Sequence, residues 1–245
     1  MIRHLLTAAL AGLSFVALPA LQAASQFEIR LLAFDPELQT EEAFAHDPAG
    51  DENAAPVATP IKGFLNHEFF TVPLAGRKIV FTANKNRTSL KNPEDLIAEV
   101  TLPANVTSAL LLFLPPNPGA KAKSQIMVID DSRRAFPPGS FHMTNLSPVP
   151  IRLMLEQKTF EFAPGKTTLI QDIPTRENSM TGMRAWALKD KQWKPVATSL
   201  WPHPGDRRSV IVAFQDPESG YIHFRAFDDV RPRTPQSTAA AGGSR

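Results

Sequence analysis

From residue 27 onward the chain alternates apolar and polar positions with a period of two. Phe27-Glu28-Ile29-Arg30-Leu31 is the first clean instance, and that period belongs to a half-buried β-strand. The same pattern predicts strands over residues 61–65, 68–72, 78–82, 97–102 and 108–114. It continues through 125–130, 140–146, 150–156, 159–163, 167–171, 183–188, 194–201, 210–215 and 221–228. In the second half Ile151, Leu153 and Leu155 share one face while Arg152 and Glu156 take the other. Phe160 and Phe162 alternate with Thr159 and Glu161 in the same way. The run from Ala109 to Leu114 is apolar throughout, as a buried strand requires.

Turn chemistry falls between these segments, at Pro137-Pro138-Gly139, Pro164-Gly165, Asp190-Lys191, Pro204-Gly205 and Ser219-Gly220. Proline is abundant, 23 of 245 residues, and proline suits turns and strand ends better than helix interiors. Helix signals are brief. Asp35-Pro36-Glu37 has an N-cap followed by proline, and Asn92-Pro93-Glu94-Asp95 offers one capped turn. Strands spaced by such turns, with no alternating helices, predict an all-β antiparallel β-sandwich. It is built as one elongated unit or as two packed sandwich-like units.

Pro115-Pro116-Asn117-Pro118-Gly119 is the strongest break. It divides a first β unit at 61–116 from a second sandwich at 124–230. Residues 24–60 precede them as an N-terminal strand and a mobile acidic loop. Residues 231–245 lack large apolar side chains and are expected to be disordered. No internal repeat links the two halves at the level of sequence.

Residues 1–23 have the layout of a secretory signal peptide. Arg3 and His4 precede an apolar run from Leu5 to Leu18, and Ala23 provides a small residue for cleavage. The run is shorter than the ~20 residues that span a bilayer, so no transmembrane segment is expected after cleavage. The expected location is the periplasm or the extracellular space. The chain has no cysteine. That excludes disulfides, thiolate metal sites and a lipid-bearing cysteine, and favours a bacterial exported protein large enough to fold without staples.

The formal net charge is +2. Asp35, Glu37, Glu41, Glu42, Asp47, Asp51 and Glu52 gather in one stretch, which leaves the remainder basic. Lysines and arginines are scattered in pairs such as Arg207-Arg208, so no nucleic-acid stripe is expected. The histidines do not form a short-spaced zinc pair. His142-Met143 and Met154 offer imidazole and thioether donors suited to copper(I), but nothing later completes a set. No metal or cofactor is therefore implied. No Gly-x-Ser-x-Gly elbow occurs. Asp130-Asp131 and Asp228-Asp229 are adjacent carboxylate pairs at predicted strand ends. A hydrolase would have to assemble such groups in space.

The remaining candidate chemistry is aromatic. All three tryptophans, Trp186, Trp193 and Trp201, fall in one stretch with Lys189, Lys191 and Lys194. Exposed indoles stack on sugars, whereas buried ones fill a sandwich core. The candidate ligand-binding set is therefore Trp193, Trp186, Trp201, Lys191 and Lys194.

Ala109 through Pro115, Ile129-Asp130-Asp131-Ser132 and Phe136-Pro137-Pro138-Gly139-Ser140 also form a recognisable set of turn and strand residues. Together with Asn145-Leu146-Ser147-Pro148, Ala163-Pro164-Gly165-Lys166, Trp193, Ser199-Leu200-Trp201 and Arg207-Arg208, they make residues 108–230 resemble uncharacterised secreted β proteins of environmental bacteria. The resemblance implies shared architecture and no particular activity. The expectation is a non-catalytic protein with a binding or structural role in the envelope or outside the cell. Its partner would be an envelope protein or a glycan. The alternatives are a carbohydrate- or polyanion-binding module and a hydrolase with a spatially assembled carboxylate site.

Overall fold

A computed structural model describes residues 24–229 except 66, 67 and 118. The signal-like segment 1–23 and the tail 231–245 lie outside the described residues. The described chain is almost wholly β-structure arranged in four four-stranded sheets.

Strands β1 (Ser25–Ala33), β2 (Phe44–His46), β3 (Val57–Ala58), β4 (Phe70–Leu74), β5 (Lys78–Thr82), β6 (Leu96–Thr101), β7 (Ser108–Leu114) and β8 (Gln125–Asp130) form a first sandwich. Its two sheets have the orders β4-β1-β7-β8 and β3-β2-β5-β6. Strands β9 (Phe141–Asn145), β10 (Ile151–Leu155), β11 (Lys158–Phe162), β12 (Thr167–Ile170), β13 (Met180–Lys189), β14 (Gln192–Pro202), β15 (Arg208–Gln215) and β16 (Ile222–Asp229) form a second. Their orders are β12-β9-β15-β16 and β11-β10-β13-β14.

Adding eight to each strand number of the first sandwich generates the second. The directions agree as well. β1 and β7 run parallel, as do β9 and β15, while the other strand pairs are antiparallel. Even a bulge recurs. It lies between Phe81 and Thr82 in the β5–β6 ladder and between Ala185 and Trp186 in the β13–β14 ladder. The chain is therefore a tandem of two topologically identical repeats, a relation the sequence did not reveal. The register makes Asp131 equivalent to Asp229, because each carboxylate residue lies opposite the start of the parallel strand, at Ser108 and Arg208. By the same register Arg30 corresponds to His142, each lying two positions beyond that start on the neighbouring strand.

The four sheets stack as layers, and strand alternation assigns side chains to three cores. Ile29 and Leu31 of β1, with Leu111 and Phe113 of β7, face the first sandwich's core. Leu153, Met183 and Ile211 face the second. The third core lies between the repeats, where Leu32, Leu110 and Leu112 meet Val210, Val212 and Phe227. Each repeat thus presents the same sheet to the middle. That arrangement explains why β7 and β15 are apolar on both faces.

Three expectations need correction. The break at 115–119 connects β7 to its antiparallel partner β8, so it lies inside the first repeat. The repeats instead divide between Asp131 and Ser140. Residues 61–65 form isolated bridges, Thr40 with Ile61 and Leu32 with Lys62, in place of a strand. Residues 46–60 include the end of β2 and all of β3. Arg87 binds the carbonyls of Asp47 (3.2 Å) and Gly50 (2.9 Å) there. Only short 3-10 turns occur among the described residues. Asp35 caps Pro36–Leu38 by accepting the Glu37 N–H, and the second turn, Arg87–Lys91, lies just before Asn92.

Candidate functional site

One carboxylate of each adjacent pair, Asp131 and Asp229, converges on the other in the core between the repeats, while Asp130 accepts from the Ser132 N–H at 3.0 Å and the exposed Asp228 accepts from Ser209 Oγ at 2.7 Å. Arg30 donates from Nε to Asp131 Oδ2 at 2.7 Å and from Nη1 to Asp229 Oδ1 at 2.8 Å. Its Nη2 reaches Asp131 Oδ1 and Asp229 Oδ2, both at 2.8 Å. Arg208 completes the quartet. Its Nε donates to Asp229 Oδ2 at 2.8 Å, its Nη2 donates to Asp131 Oδ1, and its Nη1 donates to the Phe136 carbonyl at 2.7 Å. All four side chains are at most 1% exposed.

Two cations and two anions cancel, and each carboxylate serves both guanidinium groups. Burial alone would raise the Asp229 carboxyl, but the hydrogen bonds and charges of Arg30 and Arg208 hold it below the usual carboxylate range. Burial opposes the charge on Arg30 as well, yet the two aspartates raise its affinity for its proton. The quartet is a brace between repeats. Its four side chains are enclosed and committed to one another.

His142 occupies the place in repeat 2 that Arg30 holds in repeat 1. Its Nδ1 is buried without a hydrogen-bond partner, and its ring lies 5.5 Å from that of Phe136. Burial, assisted by the Arg208 charge, pushes its pKa down to about 4. Neutral imidazole is therefore the form compatible with the interface. Met143, the next residue, points the opposite way into the core of repeat 2, so strand alternation separates the imidazole from the Met143 thioether. No cluster of three or more metal-ligating His, Cys, Asp or Glu side chains occurs among the described residues.

The tryptophans divide between two faces of the β11-β10-β13-β14 sheet. Met183, Ala185 and Ala187 are buried in the repeat 2 core, so alternation places Trp186 and Leu188 on the outer face. Trp193 pairs with Leu188, and Pro195 pairs with Trp186. Trp193 and Trp186 are thus diagonal neighbours on one surface. Both are half-buried.

Arg152 lies beside them, in register with Trp186. Its guanidinium carbon is 4.1 Å from the Trp193 ring centroid, a cation–π distance. Glu161 fixes that guanidinium by accepting from Nε (2.9 Å) and Nη2 (2.7 Å). Trp201 points inward, edge-on to Phe141 at 5.7 Å and near Phe224 at 6.1 Å. Lys191 is exposed in the hairpin turn beyond β13. Lys194 pairs with Asp190 at 2.8 Å. The structure therefore brings together Trp186 and Trp193 and adds Arg152. Strand alternation in the sequence identified the outward position of Arg152, but the residue it meets depends on the β10–β13 and β13–β14 registers.

Trp201 and Lys194 line a cleft of about 640 Å³ on one side of repeat 2, together with Met183, Ile222 and Phe224. Its walls come from β14 and β16, each the last strand of its sheet. The class defined by these features is a tandem β-sandwich with an aromatic–guanidinium surface and an open seam in its second repeat. Compared with known proteins, the chain matches no family model and no curated sequence.

Proposed function

We propose that this chain acts outside the cytoplasm as a non-catalytic binding protein. Its binding surface is the outer face of β11-β10-β13-β14, and its ligand is a carbohydrate carrying acidic groups. The observation that supports the reading is the Trp186–Arg152–Trp193 arrangement on an exposed sheet face. Indoles supply broad apolar area at little conformational cost. Glu161 engages Nε and Nη2 of Arg152, which leaves the Nη1 side of the guanidinium to meet a carboxylate or sulfate on the same sugar. Arg184 extends the positive character of this face. It is exposed and lies beside Arg152 on the outer side of the sheet, through its pairing with Met154.

Of the paired aspartates, Asp131 and Asp229 are enclosed with Arg30 and Arg208 in the quartet, away from this surface. The signal-like sequence supports export. Titration with acidic and neutral polysaccharides is expected to shift tryptophan fluorescence for the acidic ones. Trp193→Ala should weaken binding about tenfold, in line with ~1–3 kcal/mol for a lost stacking contact. An unchanged spectrum across both classes would reject the reading.

A further inference from the structure

The two repeats differ at one seam. In repeat 1 the bulged residue of β6, Ile97, offers its carbonyl to Ser124 at the start of β8. Ser124 N donates to it at 2.9 Å and Ser124 Oγ at 3.2 Å. The sandwich is therefore stitched shut along that side. The register places Val196 at the position of Ile97 and Ile222 at the position of Ser124. In repeat 2 these two residues do not meet through the backbone among the described residues. Both line the cleft of about 640 Å³.

The opening has the features of a strand-binding groove. β14 is the longest strand, with 11 residues, and is paired on only one side. The half of its amides and carbonyls that points away from β13 is available to a further strand. Side chains of such a strand would reach Trp201, Phe224 and Val196, which already pack on the repeat 2 core. Tyr221 at the mouth is 69% exposed, and Leu200 on the same edge strand is 51% exposed. Lys189, Lys194 and His223 line the cleft, Asp190 pairs with Lys194 from outside it, and no carboxylate is part of the lining, so the groove favours an acidic occupant. The chain's own residues 230–245 contain arginines and no acidic residue, which is the wrong charge.

We propose that the β14–β16 seam of repeat 2 receives an extended, acidic segment of a partner protein, which pairs with the free edge of β14 and seats alternate apolar side chains in the cleft. Strand addition of this kind draws affinity from main-chain hydrogen bonds and specificity from pockets for every second side chain. The site lies on the opposite side of the sheet from Trp186 and Trp193, so it stands independently of the carbohydrate reading.

The test uses the full chain and a synthetic peptide as long as β14, alternating valine with threonine and glutamate. Two control peptides carry lysine for glutamate or N-methyl groups at alternate residues. Fluorescence anisotropy is expected to show binding of the acidic peptide. Each control should bind at least about tenfold more weakly, one tenfold step being ~1.4 kcal/mol. Hydrogen exchange should slow along β14, Lys194→Glu should weaken binding, and Trp193→Ala should leave it intact. Absent binding of the acidic peptide would overturn the proposal, as would equal binding of the N-methylated peptide. Protection of β14 by self-association of the free chain would also overturn it, by making a second copy the occupant.

Discussion

Repeat 1 and repeat 2 share strand order, strand direction and even the place of a bulge, yet they differ at two equivalent sites. At the seam, repeat 1 is closed by Ser124 and repeat 2 is open between Val196 and Ile222. At the interface, repeat 1 supplies Arg30 where repeat 2 supplies His142, whose Nδ1 has no partner. The outer sheets differ too. β5 and β6 span five and six residues, whereas their equivalents β13 and β14 span ten and eleven. One fold thus takes two forms. Repeat 1 is sealed around its own core, while repeat 2 extends its outer sheet and leaves both a face and an edge accessible.

The largest test of this comparison is the brace that joins the repeats. Asp229→Ala leaves two buried arginines facing one carboxylate, and breaking a buried pair in this way costs about 3–5 kcal/mol. Urea denaturation should show that loss, with the repeats unfolding in separate transitions. A single transition of unchanged midpoint would show that the quartet does not join them.

The second test is acid. Unfolded His142 takes its proton near the ordinary value of 6.5, but the folded imidazole resists until about 4. The unfolded state therefore binds more protons between these values, and stability falls as pH drops through that window, by up to about 3 kcal/mol. Below it, the depressed Asp229 carboxyl adds a further loss as it is protonated. His142→Leu should flatten the pH 4–6.5 segment of the stability profile and leave the lower part in place. Equal slopes in the two proteins would place the acid sensitivity elsewhere.

Two smaller effects separate the repeats further. Ser124→Ala removes the Oγ hydrogen bond to Ile97, and about 1 kcal/mol of stability should go with it. Amide exchange should rise in β6 but not in β14. In the hairpin between β13 and β14, Asp190 and Lys191 both have positive φ, 52° and 61°, a pairing that favours Asn-Gly. Lys191→Gly, which keeps the Asp190–Lys194 pair, should raise stability by roughly 0.5–1 kcal/mol, read as a higher thermal midpoint.

Period-two alternation and turn residues made the β architecture legible. The expected bounds of 78–82, 108–114 and 125–130 coincide with β5, β7 and β8. The duplication was hidden because a repeated topology needs only repeated alternation. Phe81 and Ala185 fill the same position with different volumes, and Asp130-Asp131 with Asp228-Asp229 is the most visible echo. Those aspartates looked like strand termini or distant catalytic candidates because their partners, Arg30 and Arg208, are remote in sequence. The tryptophans were visible, but their faces were not. One bulge and one register decide that Trp186 and Trp193 point outward while Trp201 points in.

The most direct measurement is residue-resolved hydrogen exchange on the unliganded chain. Ser124 should be protected almost as well as the core strands, while the outward amides of β14 from Val196 to Trp201 exchange freely. Comparable protection at both places would mean that the second seam is closed like the first, contradicting the division between a sealed and a receptive repeat.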